Sequence, residues 1–255
     1  MIILRLFLPA LMVAVSLLTW AGGSSQVSAN EANAEDVAAF FGDVALGDKS
    51  SARIVKWTKA PIVRLEVFAP SDNNYDEPKR IETPLSDYEF VARHIAQLRK
   101  LTSLPIRLLP RDIGEGGDII VTMTPWHLVK TTSVATVPNR LLRRLMGPGR
   151  CFFVLWPTTE NSIQKAHIII NSKLDENHIR HCYLEEITQS IGLPHDSDRV
   201  HPSIFNEASR ERSLSKSDFI LIRTLYDPRI RPGMDRTTAL TWASSIIESA
   251  ILRGD

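Results

Sequence analysis

The feature that most restricts the fold is the order in which two hydrophobic patterns occur along the chain. Short runs rich in β-branched and aromatic residues lie at 53–58, 62–68, 106–109, 118–124, 151–156 and 166–170, and each reads as a strand. After residue 174 the apolar residues recur only at helical spacing, predicting helices over 174–191, 215–225 and 235–252. One helix is expected among the strands. Ser86-Asp87-Tyr88-Glu89 reads as a capping box with Leu85 and Phe90 at the staple positions, and Val91, Ile95 and Leu98 continue the stripe until Pro105. Strands mixed with a helix and then helices alone indicate an α+β fold with a mixed sheet and a helical C-terminal part. Residues 30–50 read as a short, loosely packed helix, and 138–146 as another whose Arg140, Arg143 and Arg144 form a solvated basic face. No internal repeat is present. The glycines of 114–117 lack the following Lys-Ser/Thr and helix of a phosphate loop, so they read as a turn.

The first 29 residues set an address. Arg5 is their only charge, an apolar run follows from 6 to 20, and Val27-Ser28-Ala29 fits the small-x-small rule for signal peptidase. Cleavage after Ala29 is expected, giving an exported protein, periplasmic or extracellular. Pro9 and the shortness of the apolar run argue against a membrane span, and no later stretch reaches 18 apolar residues, so the mature form should not span a membrane. The expected division is a signal peptide 1–29, an N-terminal segment 30–51, a main domain 52–227 and a C-terminal helical extension 228–255.

Charge narrows the function classes. Thirty Lys plus Arg against 29 Asp plus Glu give a net charge of +1, so nucleic-acid binding is not expected. Cys151 and Cys182 are the only cysteines. In an exported chain such a pair reads as a disulfide, with two separate buried thiols as the alternative. Two cysteines cannot build a finger-type zinc site.

The most informative stretch runs from Leu184 to Asp196. Leu184, Ile187 and Ile191 form one stripe facing the core. Glu185 and Gln189 are one helical turn apart on one face, Gly192 permits a sharp turn, and the chain can return His195 toward that face. Glu186 stands beside them. The plainer readings are an exposed polar face for Glu185 and Gln189, a cap or an arginine pair for Glu186, and a loop position for His195.

This segment resembles the metzincin zinc helix, His-Glu-x-x-His-x-x-Gly-x-x-His-Asp, with its first two histidines replaced. Glu185 and Gln189 stand at those ligand positions, Glu186 at the general base, Gly192 at the turn glycine, His195 at the third ligand and Asp196 at the acidic residue after it. Ser203-Ile204-Phe205-Asn206 is similar to the turn beneath the metal, with Phe205 in the methionine place, and the helix after Ser215 resembles the metzincin C-terminal helix. The resemblance covers about residues 52–227. The whole also resembles a group of uncharacterised exported bacterial proteins with a Glu-Glu-x-x-Gln core.

The resemblance implies a zincin-like mixed sheet but not a working zinc centre. A catalytic zinc needs three strong ligands and an open position, and a neutral amide is a poor third. No cofactor is therefore expected, zinc being the alternative, with Glu185 and His195 as its weak ligand candidates. The expected function is a non-catalytic module holding a peptide or an envelope protein in the remnant cleft, where strand addition is one recognition mode. The competing expectation is an atypical metal-dependent or carboxylate-based hydrolase with Glu186 as base. Adjacent helix residues point about 100° apart, which makes a Glu185–Glu186 dyad awkward.

Overall fold

The computed structural model describes residues 3–4, 27–28, 33–132, 151–206 and 208–253. The expected leader, apart from two dipeptides, and the expected helix at 138–146 lie outside the described residues. The strands are β1 (Ile3–Leu4), β2 (Val27–Ser28), β3 (Ile62–Pro70), β4 (Pro78–Ile81), β5 (Arg107–Leu108), β6 (Ile119–Thr124), β7 (Cys151–Pro157), β8 (Ile163–Asn171) and β9 (Val200–His201). The helices are α1 (Ala34–Leu46), α2 (Leu85–Thr102), α3 (Val129–Thr132), α4 (Glu176–Ser190), α5 (Lys216–Tyr226) and α6 (Arg236–Arg253). The protein is thus of the α+β class.

The main sheet has the order β1-β7-β8-β6-β3-β4, with β5 also pairing β3. Strands β3, β6 and β8 are parallel, in the registers Val63↔Ile119 and Ile119↔Ala166. β4 and β7 run antiparallel to their neighbours. Inward residues of the central strands (Val63, Leu65, Val121, Phe153, Ile168) share one hydrophobic cluster with α2 and α4, and this cluster continues into α1, α5 and α6. Val37 and Ile247, far apart in sequence, belong to the same core. Among the described residues no helix is long and apolar enough to cross a membrane.

Four local expectations are corrected. Residues 53–58 form only isolated bridges, Arg53↔Asp235 and Lys56↔Ser162, not a strand. Their backbone and side chains are instead used to join the C-terminal helices to the rest. Lys56 Nζ donates to the carbonyls of Leu225 (2.8 Å) and Ile230 (2.7 Å), and burial pulls its pKa down to about 8. Helix α2 begins one residue before Ser86 with Pro84 as N-cap and no side-chain cap bond, because Pro84 already supplies the extended entry. Leu85 is consequently exposed. Helix α1 is not loosely packed: Phe40, Phe41 and Val44 are fully buried, and the helix lies against α5 and α6. Finally, α4 is not merely striped. Every residue from His181 to Ser190 is buried, as for a helix enclosed on all sides.

The boundaries of α5 follow its sequence. Ser215 caps it, its hydroxyl accepting from the Asp218 N–H (3.2 Å) while the Asp218 carboxylate accepts from the Ser215 N–H (2.7 Å).

Candidate functional site

Helix α4 carries the site, and both of its ends are fixed. Asp175 caps its start by accepting from the His178 N–H at 3.1 Å. At its end the Ser190 carbonyl accepts from Trp57 Nε1 (3.0 Å) and the Ile191 carbonyl from the Tyr226 hydroxyl (2.8 Å). Gly192 then turns the chain with φ +122°. A Cβ there would lie 2.2 Å from the Val55 carbonyl oxygen, so glycine is required for backbone freedom and for space.

Beyond the turn the chain comes back beside α4. Gln189, fully buried, donates from its amide Nε2 to Asp196 Oδ1 at 2.8 Å. The His195 N–H donates to the Val44 carbonyl at the end of α1 (3.1 Å), and its ring lies on Gly47, where a Cβ would approach ring atoms to 2.9 Å. The last turn of α1, the following segment 47–53 and the segment 195–199 border a cleft of about 910 Å³ lined by Asp43, Lys49, Arg53, His195, Asp196 and Arg199 among others.

One turn earlier, Glu185 is buried, with Oε2 3.4 Å from His181 Nε2. The Glu211 carbonyl, which can only accept, takes the His181 Nδ1–H at 2.9 Å. A contact to the carboxylate then needs a second ring proton. Burial opposes that charge, but the Glu185 carboxylate and the Glu211 carbonyl outweigh it, and the His181 pKa is raised above the ordinary imidazole value.

Cys151 at the start of β7 and Cys182 on α4 form a disulfide with Cα atoms 6.0 Å apart. It ties β7 to the site helix. The Cys151 sulfur and one carboxylate oxygen each from Glu185 and Glu186 lie within 4.8 Å of one another. This corrects two expectations. Glu185 and Gln189 are not an exposed polar face, because the sheet and α2 cover α4. The two adjacent carboxylates do approach one another, because side-chain rotation overcomes the 100° between their Cα–Cβ directions.

Phe205 is buried and meets Phe40 of α1 edge-on, centroids 6.2 Å apart. Its turn is tied down by Asp218, whose carboxylate accepts from Ser203 Oγ (2.6 Å) and from the Ile204 N–H (3.3 Å) while also capping α5. Burial pushes the Asp218 carboxyl up to about 6, against the pull of those hydrogen bonds. The link between Ser203 and Asp218 was missed in the sequence, although Ser215 and Asp218 have the spacing of a capping box. Also missed was His94 of α2, buried against α4 with Nε2 3.0 Å from Thr188 Oγ1 and its pKa lowered to about 4 by burial. Its position in the helical stripe after Val91 was the available signal.

Residues 34–242 match the family described as "Protein of unknown function (DUF2927)", and the chain belongs to that family. No curated protein matches the chain.

Proposed function

We propose, with membership of this family as the premise, that the protein is an exported, non-catalytic module of zincin-like architecture that binds an extended peptide or a protein segment. The observation that carries this reading is the hydrogen bond from buried Gln189 to half-buried Asp196. A carboxylate only accepts, so the amide nitrogen of Gln189 is committed to Asp196, leaving a neutral carbonyl oxygen where a zinc centre needs an imidazole. Glu185, at the other replaced position, faces His181, whose pKa that carboxylate helps to raise. Both side chains are buried, without the open position at which a catalytic zinc activates water. The donor set does not fit a catalytic zinc, and no hydrolytic step is derived through one.

Two features support binding. The cleft beside His195 has the volume of a ligand pocket. The outer edge of β7 accepts an extended segment antiparallel, Ile3 opposite Leu155 and Leu4 opposite Val154. Those two residues belong to the leader expected to be removed after Ala29, and its removal would leave that edge to a peptide. The disulfide supports export, since such bonds persist in oxidising compartments.

The test uses the chain from Asn30 onward, purified oxidised and without chelator. No stoichiometric zinc, no peptide cleavage, and binding of extended peptides are expected. Chelator-sensitive cleavage would overturn the reading. The hydrolase alternative, with Glu186 as base, draws on the closeness of the Glu185 and Glu186 carboxylates. Complete burial of Glu186 opposes it. Unchanged turnover of any discovered substrate by Glu186→Gln would remove it.

A further inference from the structure

Cys182, Glu185 and Glu186 occupy positions i, i+3 and i+4 of α4 and so share one face of the helix. The disulfide brings Cys151 onto that same face from β7. The Cys151 sulfur and an oxygen of each glutamate lie within 4.8 Å of one another, and the Cys182 sulfur is bonded to that of Cys151. All four residues are buried. As a disulfide the sulfurs carry no charge and are poor ligands. As thiolates they would complete a donor set of two sulfurs and two oxygens.

We propose that Cys151, Cys182, Glu185 and Glu186 form a redox-gated site for one zinc ion, closed in the disulfide state and competent in the dithiol state. Of the replaced metzincin positions this site uses only Glu185, and it does not depend on the binding function proposed above. Opening it takes two electrons and two protons. A dithiol reductant transfers them, becoming a disulfide as the Cys151–Cys182 bond breaks into two thiols. Zinc then binds with loss of both thiol protons, forming two Zn–S and two Zn–O bonds. Tetrahedral zinc at the usual bond lengths places ligand atoms roughly 3.5 Å apart, so the Cys151 sulfur and the two glutamate oxygens, now within 4.8 Å, need only a small contraction, while the two sulfurs move apart as their bond breaks. Thiolates select a borderline-soft ion over calcium or magnesium. Four protein ligands make the site structural rather than catalytic. His181, 3.4 Å from Glu185, is placed to orient that carboxylate from outside the coordination sphere.

The experiment compares oxidised protein with protein held anaerobically in a phosphine reductant until titration shows both thiols free. Each sample is loaded with zinc, desalted and assayed for metal, and separately titrated with cobalt(II). About one zinc per reduced chain, almost none per oxidised chain, and a thiolate-to-cobalt charge-transfer band are expected. The Glu185→Gln and Glu186→Gln variants keep the disulfide, so their folding can be checked oxidised by circular dichroism. Once reduced, each should bind zinc at least about tenfold more weakly. A reduced protein without the cobalt band, a band retained by Cys182→Ser, or zinc affinity indifferent to both glutamate variants would each overturn the proposal. The last outcome would mean that an opened chain binds through its thiols alone.

Discussion

Asp218→Asn tests whether one buried carboxylate really joins the Phe205 turn to the cap of α5. The amide keeps an acceptor for Ser203 Oγ but sets an NH₂ against the backbone N–H groups of Ile204 and Ser215, both of which now donate to Asp218 Oδ2. Each orphaned donor costs about 1–3 kcal/mol. Opposing this, the wild-type carboxyl is raised from 3.8 to about 6, chiefly by burial. A raised folded pKa contributes stability that is fully present below the unfolded value and lost as the pH rises through the folded one. The loss by pH 7 is about 3 kcal/mol. Asparagine has no such loss. The variant's deficit should therefore be roughly 2–6 kcal/mol near pH 4 and smaller by about 2–3 kcal/mol near pH 7. Urea unfolding of both proteins at the two pH values, followed by far-ultraviolet circular dichroism, measures the difference, and other carboxylates cancel between them. A deficit that stays constant or grows between pH 4 and 7 would refute the linkage of burial and capping at Asp218.

Gly192→Ala should cost about 3 kcal/mol or more, because it combines a strained φ with a Cβ 2.2 Å from the Val55 carbonyl; a loss below about 1 kcal/mol in urea unfolding would contradict that packing. Breaking the Cys151–Cys182 bond, which closes a loop with a sequence separation of 31, should cost about 3–4 kcal/mol, and an unchanged melting temperature on reduction would count against it. His181→Gln should be more damaging at about pH 5.5 than at about pH 8.5, because the raised imidazole pKa means that the Glu185 contact stabilises below the unfolded pKa and is lost as the pH rises through the folded one. An NMR titration placing the His181 pKa below the ordinary imidazole value would remove the basis for that prediction.

Local pattern alone was enough to determine several elements. The Ser215–Asp218 spacing of the α5 cap, the αβ composition, the turn at Gly192 and the pairing of the two cysteines all depend on residues close in sequence or on residue type. Backbone propensity and helix periodicity act over one or two turns, so they can be read without the rest of the molecule. Packing between distant segments was not legible in this way. Residues 53–58 have strand composition, yet Lys56 and Trp57 serve the carbonyls at the ends of α5 and α4. Glu185 and Gln189 have the composition of a solvated face, but the sheet and α2 enclose them, and burial depends on what a helix meets rather than on its own sequence. The approach of Glu185 and Glu186 to Cys151 likewise exists only because Cys151 of β7, 31 residues before Cys182, is bonded across to α4. Sequence fixed the kinds of chemical group that this chain carries. Tertiary structure decided which of them are desolvated together, as the Glu185 and Glu186 carboxylates are beside the Cys151–Cys182 disulfide.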